Sequence, residues 1–270
     1  MGTAKQSIDL IPKQFLTNKR IIFIESIAAL FIGWALLAHG FNITDEVSSP
    51  ILVAANAVEL FRSGVWFEHM FVTLKRVMYG FVVTMFVGTI LGVITGLNRF
   101  WEKAFQDWIT LGLAFPSLFA AVFTAMWFGL SPLTPTVAGA IVAFPFLTLE
   151  VFEGVRDVDK DLLEMAQSYN VSRLRAIWRI VIQSVLPKWF GGARYSFAVC
   201  WKITTLAELV AAESGIGFMI EFEMRELSIT GVLTWTILFA ILMFILEYGV
   251  LLQIEKRVFD WRQEASIGWA

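Results

Sequence analysis

Four ionisable residues, Arg76, Arg194, Lys202 and Glu208, stand inside or beside otherwise apolar runs of the chain. A charge at the centre of a membrane span costs about 2.5–3.5 kcal/mol on insertion scales, so such groups face a protein interior, a wet cavity or each other. Cations beside a route suit an anionic solute, which makes the four residues candidates for a translocation path. The structural alternative is snorkelling toward headgroups, or pairing of a cation with Glu208 or Glu25. Other chemistry finds no support. No Gly-x-x-x-x-Gly-Lys-Ser/Thr loop is present to cradle a nucleotide. No Gly-x-Ser-x-Gly, His-Glu-x-x-His or paired membrane aspartates mark an intramembrane enzyme. Cys200 is the single cysteine, which excludes an intrachain disulfide and a multi-cysteine metal site. His39 and His69 are isolated, and no metal site is expected.

A second candidate is the charged stretch from Asp157 to Pro187. Its apolar positions Leu162, Leu163, Ala166, Val171, Leu174, Ile177 and Trp178 predict two short amphipathic helices broken around Asn170. Asn tolerates the left-handed conformation that reverses a chain, and Ser172 is placed to cap the second helix. Helix connections usually take about 2–8 residues, so a polar helix-turn-helix of this length reads as a docking surface for a soluble partner. The bland alternative is a solvated connector.

The elements that position these groups follow from composition. With 57% apolar and 16% charged residues, and a mean hydropathy of +0.70, the chain lies beyond the range of soluble domains. An all-α integral membrane protein is expected, and a net charge of −2 gives no sign of nucleic-acid binding. Runs long enough to cross about 30 Å of hydrocarbon fall at 21–41, 70–97, 105–128, 136–152, 189–212 and 231–252. Pro116 and Pro145 are expected to bend the third and fourth spans. The segment 51–69 suits a helix on the membrane surface. No small-residue cleavage site follows the first run, which reads as a retained anchor.

Orientation follows from basic residues. With a cytoplasmic N-terminus the inner side collects Lys5, Lys13, Lys19, Arg20, Arg99, Lys103, Arg156, Lys160, Arg173, Arg175, Arg179, Lys188, Lys256, Arg257 and Arg262, against Arg62 and Arg225 outside. Both termini and the 157–187 stretch are therefore expected in the cytoplasm. Gly80, Gly88, Gly92 and Gly96 share one face of the second span and predict close helix packing. The many Phe and Trp residues read as lipid-facing bulk and interfacial belt.

Glu164-Met165-Ala166-Gln167-Ser168-Tyr169-Asn170, followed by Val181 to Pro187, resembles the EAA loop of permease subunits of bacterial ABC importers with the type I fold. The resemblance extends from position 66 to 250 and points to the nitrate, sulfonate, taurine and bicarbonate branch. It is carried by Thr73-Leu74-Lys75-Arg76-Val77, Gly80-Phe81, Trp127-Phe128-Gly129, Val155 to Asp159, Trp201, Ala207-Glu208-Leu209 and Ser214-Gly215-Ile216-Gly217. Met165, Asn170 and Gln183 depart from the usual alanine-type residue, glycine and proline. The resemblance implies about six transmembrane helices with a cytoplasmic coupling helix-turn-helix. It further implies that Asp161, Glu164, Met165, Ala166, Tyr169, Asn170 and Arg173 engage a groove of a separate ATP-binding subunit. The implied partners are two copies of that subunit, a second permease copy in a homodimer, an extracytoplasmic solute-binding protein and the lipid bilayer. ATP and Mg would be bound by the ATPase, with no cofactor in this chain.

The resulting organisation is a cytoplasmic segment 1–20, a first transmembrane helix and outer surface segment 21–65, a permease core 66–255 with its coupling loop at 157–187, and a cytoplasmic tail 256–270. The function this implies is ATP-driven import of a small anion or organic acid across a bacterial inner membrane. A stand-alone secondary transporter or channel is the alternative, but that class shows an internal repeat, and none is evident.

Overall fold

The computed structural model describes residues 19–40 and 48–258. Lys5, Lys13 and Arg262, and most of the two terminal segments, lie outside the described residues, as does the side chain of His39. The regular elements among the described residues are all helices, with no strand.

Helix α1 (Lys19–Gly40) is followed by α2 (Pro50–Ser63), whose start is capped by the Ser49 hydroxyl accepting from Leu52 N–H. The segment 51–69, expected as one helix on the membrane surface, is divided between this helix and the start of the next, and α2 packs on another part of the protein. Asn56 Nδ2 donates to Thr234 Oγ1 at 3.2 Å, and Val53 is buried. Gly64, left-handed at φ 80°, ends α2, and α3 (Val65–Leu97) begins directly after it, so His69 belongs to α3. The third span departs from expectation. Instead of one bent helix, α4 (Arg99–Ala114) and α5 (Ser117–Phe128) meet at 99°. Pro116 lacks an N–H and forces the preceding residue out of the helical region; Phe115 is accordingly extended at φ −67°, ψ 125°. Pro145, by contrast, lies within an unbroken α6 (Leu133–Arg156).

The polar stretch also differs from its expected form. Helix α7 (Lys160–Ser168) is short, and Asp159 caps it by accepting from Asp161 N–H. The second helix is not short. α8 (Arg173–Ala176), a π-helical stretch (Ile177–Val181) and α9 (Ile182–Ala211) form one rod, Arg173–Ala211, about 55–60 Å long at 1.5 Å per residue. Ser172 holds the N-cap position without a side-chain cap bond. After α9 the chain turns through 212–215 into α10 (Ile216–Arg225), then α11 (Ile229–Phe244), a second π-helical stretch (Ile245–Leu251) and α12 (Leu252–Val258). Among the described residues, four helices are long and apolar enough to cross a membrane, or up to six if each bent pair counts as one span.

At the centre α6 packs between α3 and α9. Lipid tails are as apolar as leucine, so this association depends on close van der Waals contact, which small residues permit. The α3 glycines supply it. A Cβ at Gly88 would lie 2.9 Å from Leu147 Cβ, one at Gly92 2.6 Å from Val151 Cβ, and one at Gly96 2.7 Å from Val155 Cβ. Leu147, Val151, Val155 and Ala193 close the half of this core nearer Arg156, and Val77, Phe197 and Trp201 the half nearer Val65.

Candidate functional site

Two arrangements of polar residues stand out, one within the helix bundle and one beyond the end of it formed by Leu97 and Arg156. The first joins α3, α9 and the turn into α10. Arg76 Nη1 donates to Glu208 Oε1 at 2.7 Å and to the Ser214 carbonyl at 2.5 Å, and Nη2 donates to Ser214 Oγ at 3.0 Å. Thr73, one turn before Arg76, donates its hydroxyl to Glu208 Oε2 at 2.8 Å and accepts from Ile216 N–H at 2.8 Å. Gly217 N–H donates to the same carboxylate oxygen at 3.1 Å, and Gly215 N–H donates to His69 Nδ1 at 3.0 Å. Glu208 is 1% exposed and Arg76 7%. A buried ion pair is favourable only when its remaining donors and acceptors are also satisfied, and here neighbouring hydroxyls and amides do so. The first N–H groups of α10, which no helix can satisfy internally, are taken by His69, Thr73 and Glu208. Gly215 at φ 109°, ψ 173° occupies a region open essentially to glycine, and a Cβ there would collide with the Glu208 carboxyl.

Of the candidate path residues, Arg76 and Glu208 are thus partners in one knot, as the pairing alternative foresaw. Arg194 Nη2 lies 3.5 Å from Glu247 Oε1, bridging α9 to the second π-helical stretch. Lys202 is exposed on α9. The roles of His69 and Ser214 were not legible beforehand, because a histidine accepting from a distant backbone N–H leaves no spacing signature.

The second arrangement is the hairpin of α7 and α8. Asn170 is left-handed at φ 52°. Val171 N–H bonds to the Ala166 carbonyl at 2.9 Å and Asn170 N–H to that of Gln167 at 3.0 Å, a Schellman closure with Asn in the position usually held by glycine. Asp161, Glu164, Met165, Tyr169, Asn170 and Arg173 are all exposed, Tyr169 at 79%. Ala166 is turned inward at 6% exposure, so Met165 and Tyr169, not Ala166, present the apolar surface. Within the hairpin, Leu163, Ala166, Asn170, Val171, Arg173 and Ala176 line a hollow of about 480 Å³. Its base is braced by ion pairs: Lys188 reaches Asp157 at 2.6 Å and Glu153 at 3.3 Å, and Arg156 reaches Glu102 at 2.6 Å.

A polar hairpin continuous with a long helix that runs into a glycine-packed bundle of apolar helices fits the membrane subunit of a transporter. The family model described as "Binding-protein-dependent transport system inner membrane component" matches residues 88–259, and the chain belongs to that family. Over 221 residues it is 26% identical to the taurine transport system permease protein TauC of Escherichia coli (strain K12), covering 82% of this chain and 80% of that protein. It is 20% identical over 235 residues to the formylaminopyrimidine transport permease protein ThiX of Halalkalibacterium halodurans, covering 87% and 93%. The fold is similar to that of a chain in the crystal structure of an amino acid ABC transporter with histidines, with a TM-score of 0.60, 14% identity, and coverage of 76% of this chain and 96% of that one. The protein is therefore a multi-pass permease subunit of an ABC importer and not itself an enzyme.

Proposed function

We propose that the chain forms half of a two-copy pathway that imports a small anion of the sulfonate class, driven by a separate ATPase that docks on the 157–187 hairpin. The observation that carries this reading is the exposed α7 hairpin continuous with α9. A displacement of α7 by a partner is passed along the rod Arg173–Ala211 to Glu208, which holds the turn into α10. Glu164, exposed beside Met165, offers an anion for a partner's arginine, while Asp161, Tyr169, Asn170 and Arg173 frame it. ATP and Mg belong to the partner. A solute-binding protein would deliver the solute on the opposite side, and both termini would be cytoplasmic. The anionic solute is supported by the likeness to TauC. Twofold pairing is the commonest closed assembly, and six spans make half of a symmetric pathway.

The test is purification of the chain with the products of its neighbouring genes. A co-purifying subunit whose ATP hydrolysis is stimulated by a solute receptor supports the reading. A chain that transports alone, with no nucleotide-hydrolysing subunit, overturns it.

A further inference from the structure

The turn 212–215 that joins α9 to α10 is tied to α3 by a bond whose acceptor can take up a proton. Gly215 N–H donates to His69 Nδ1 at 3.0 Å, so that nitrogen presents a lone pair, the imidazole is neutral and its proton sits on Nε2. Neighbouring rings hold the imidazole in this orientation. It stacks on Phe218 of α10 with centroids 6.2 Å apart and stands edge-on to Trp235 of α11 at 5.8 Å. Histidine gains its second proton between about pH 5 and 8. Once Nδ1 carries that proton it is a donor, and a donor facing the Gly215 N–H makes no bond. The next two ties of the α10 start use other acceptors, Ile216 N–H going to the Thr73 hydroxyl and Gly217 N–H to Glu208.

The charged groups around His69 leave it to act alone. No carboxylate among the described residues is hydrogen-bonded or ion-paired to it. Glu68, one residue before it on α3, and Glu213, in the turn, are both exposed, and His69 itself is half-buried, so solvent protons reach the site. Arg76, two turns further along α3, is held by Glu208 of α9. On α10, Glu221 pairs with Arg225 at 2.6 Å and Glu223 lies against Gly231. From α11 no ionisable residue is contributed between Ile229 and Phe244, and Glu59 and Arg62 of α2 are exposed.

We propose that His69 is a proton-sensitive latch: neutral, it fastens the α9–α10 turn to α3, and protonated, it releases Gly215 and loosens the start of α10. Gly215 at φ 109° holds a backbone conformation open essentially to glycine, so a bond that pins its N–H also pins the turn. The turn closes the rod that carries the hairpin at its other end. Acid at the His69 end of the bundle therefore weakens the link between the rod and α10, a consequence for transport that rests on the permease reading, whereas the latch itself does not.

The test is amide hydrogen exchange, read by mass spectrometry on the full chain in lipid nanodiscs at about pH 5 and about pH 8. After correction for the intrinsic pH dependence of exchange, the amides of 214–219 are expected to lose protection at least about tenfold in acid, while those of 88–96 in α3 stay unchanged. His69→Asn places an amide oxygen where Nδ1 stands and does not titrate in this range, so it should keep protection at both pH values. His69→Leu, with no acceptor, should lose it at both. Equal protection of 214–219 in the parent at the two pH values overturns the proposal, and so does a loss shared by 88–96 or a pH response that survives in His69→Asn. The parent comparison stands without either variant. Neither solute nor ATPase enters the measurement, so a failed latch leaves the permease reading intact, and a failed permease reading leaves the latch to be judged by exchange alone.

Discussion

Arg76 and Glu208, 132 residues apart in the chain, meet at 2.7 Å between Nη1 and Oε1, and both are buried. The pair fastens the first half of α3 to the end of α9, and through Ser214 and Gly217 it holds the start of α10. Removing one partner leaves an uncompensated buried charge, which costs about 3–5 kcal/mol, whereas replacing both by apolar groups is far milder. Arg76→Met and Glu208→Leu, each alone, should therefore lower the unfolding midpoint more than the double substitution does. A thermal double-mutant cycle on the detergent-solubilised protein checks this; equal or additive losses would contradict it.

Of the α3 glycines, Gly92 leaves the least room against α6, with a hypothetical Cβ 2.6 Å from Val151 Cβ and 2.8 Å from the Thr148 carbonyl. Backbone atoms yield little, so Gly92→Ala is expected to force the helices apart and destabilise by about 1–3 kcal/mol. Gly33→Ala on α1, with nothing within 4 Å of the added methyl group, should be neutral or slightly stabilising. Denaturant titration of both variants distinguishes close packing from a general intolerance of substitution.

Leu227 is left-handed at φ 56° and 86% exposed. It closes α10 with the same pattern that Asn170 uses for α7: Ser228 N–H bonds to the Glu223 carbonyl at 2.9 Å and Leu227 N–H to that of Met224 at 3.2 Å. A bulky side chain in this conformation costs roughly 1–2 kcal/mol, partly offset in glycine by entropy. Leu227→Gly should raise stability by about 0.5–1 kcal/mol without altering transport. A lowered unfolding midpoint would show that the leucine makes a contact that offsets its strain.

Glu164 is exposed on α7, away from the braces at Lys188 and Arg156. Glu164→Arg should leave insertion and the thermal midpoint within about 0.5 kcal/mol of the parent, as for exposed substitutions generally, while ATP hydrolysis by the partner continues without solute uptake. Parallel assays of hydrolysis and uptake in proteoliposomes check it, and unchanged uptake with unchanged assembly would remove Glu164 from the docking surface.

What the chain alone determined is what depends on neighbours in sequence. Apolar runs mark spans because length and hydropathy are local properties; Pro116 marks the break because its ring constrains the residue beside it; Asn170 marks the reversal because few other residue types adopt that backbone conformation. The four α3 glycines were legible for the same reason, being spaced on one helical face. Tertiary structure decided which charges meet. Arg76, Arg194 and Lys202 look alike as cations in apolar surroundings, and only the side-by-side packing of α3 and α9 pairs the first with Glu208, the approach of Ile245–Leu251 pairs the second with Glu247, and neither reaches the third. The length of α9 was likewise hidden, since polar residues from Arg173 to Lys188 read as a separate element until a single rod carries them into the bundle. Ionic pairing and helix continuity across a change of solvent are fixed by contacts remote in sequence, which no local pattern encodes.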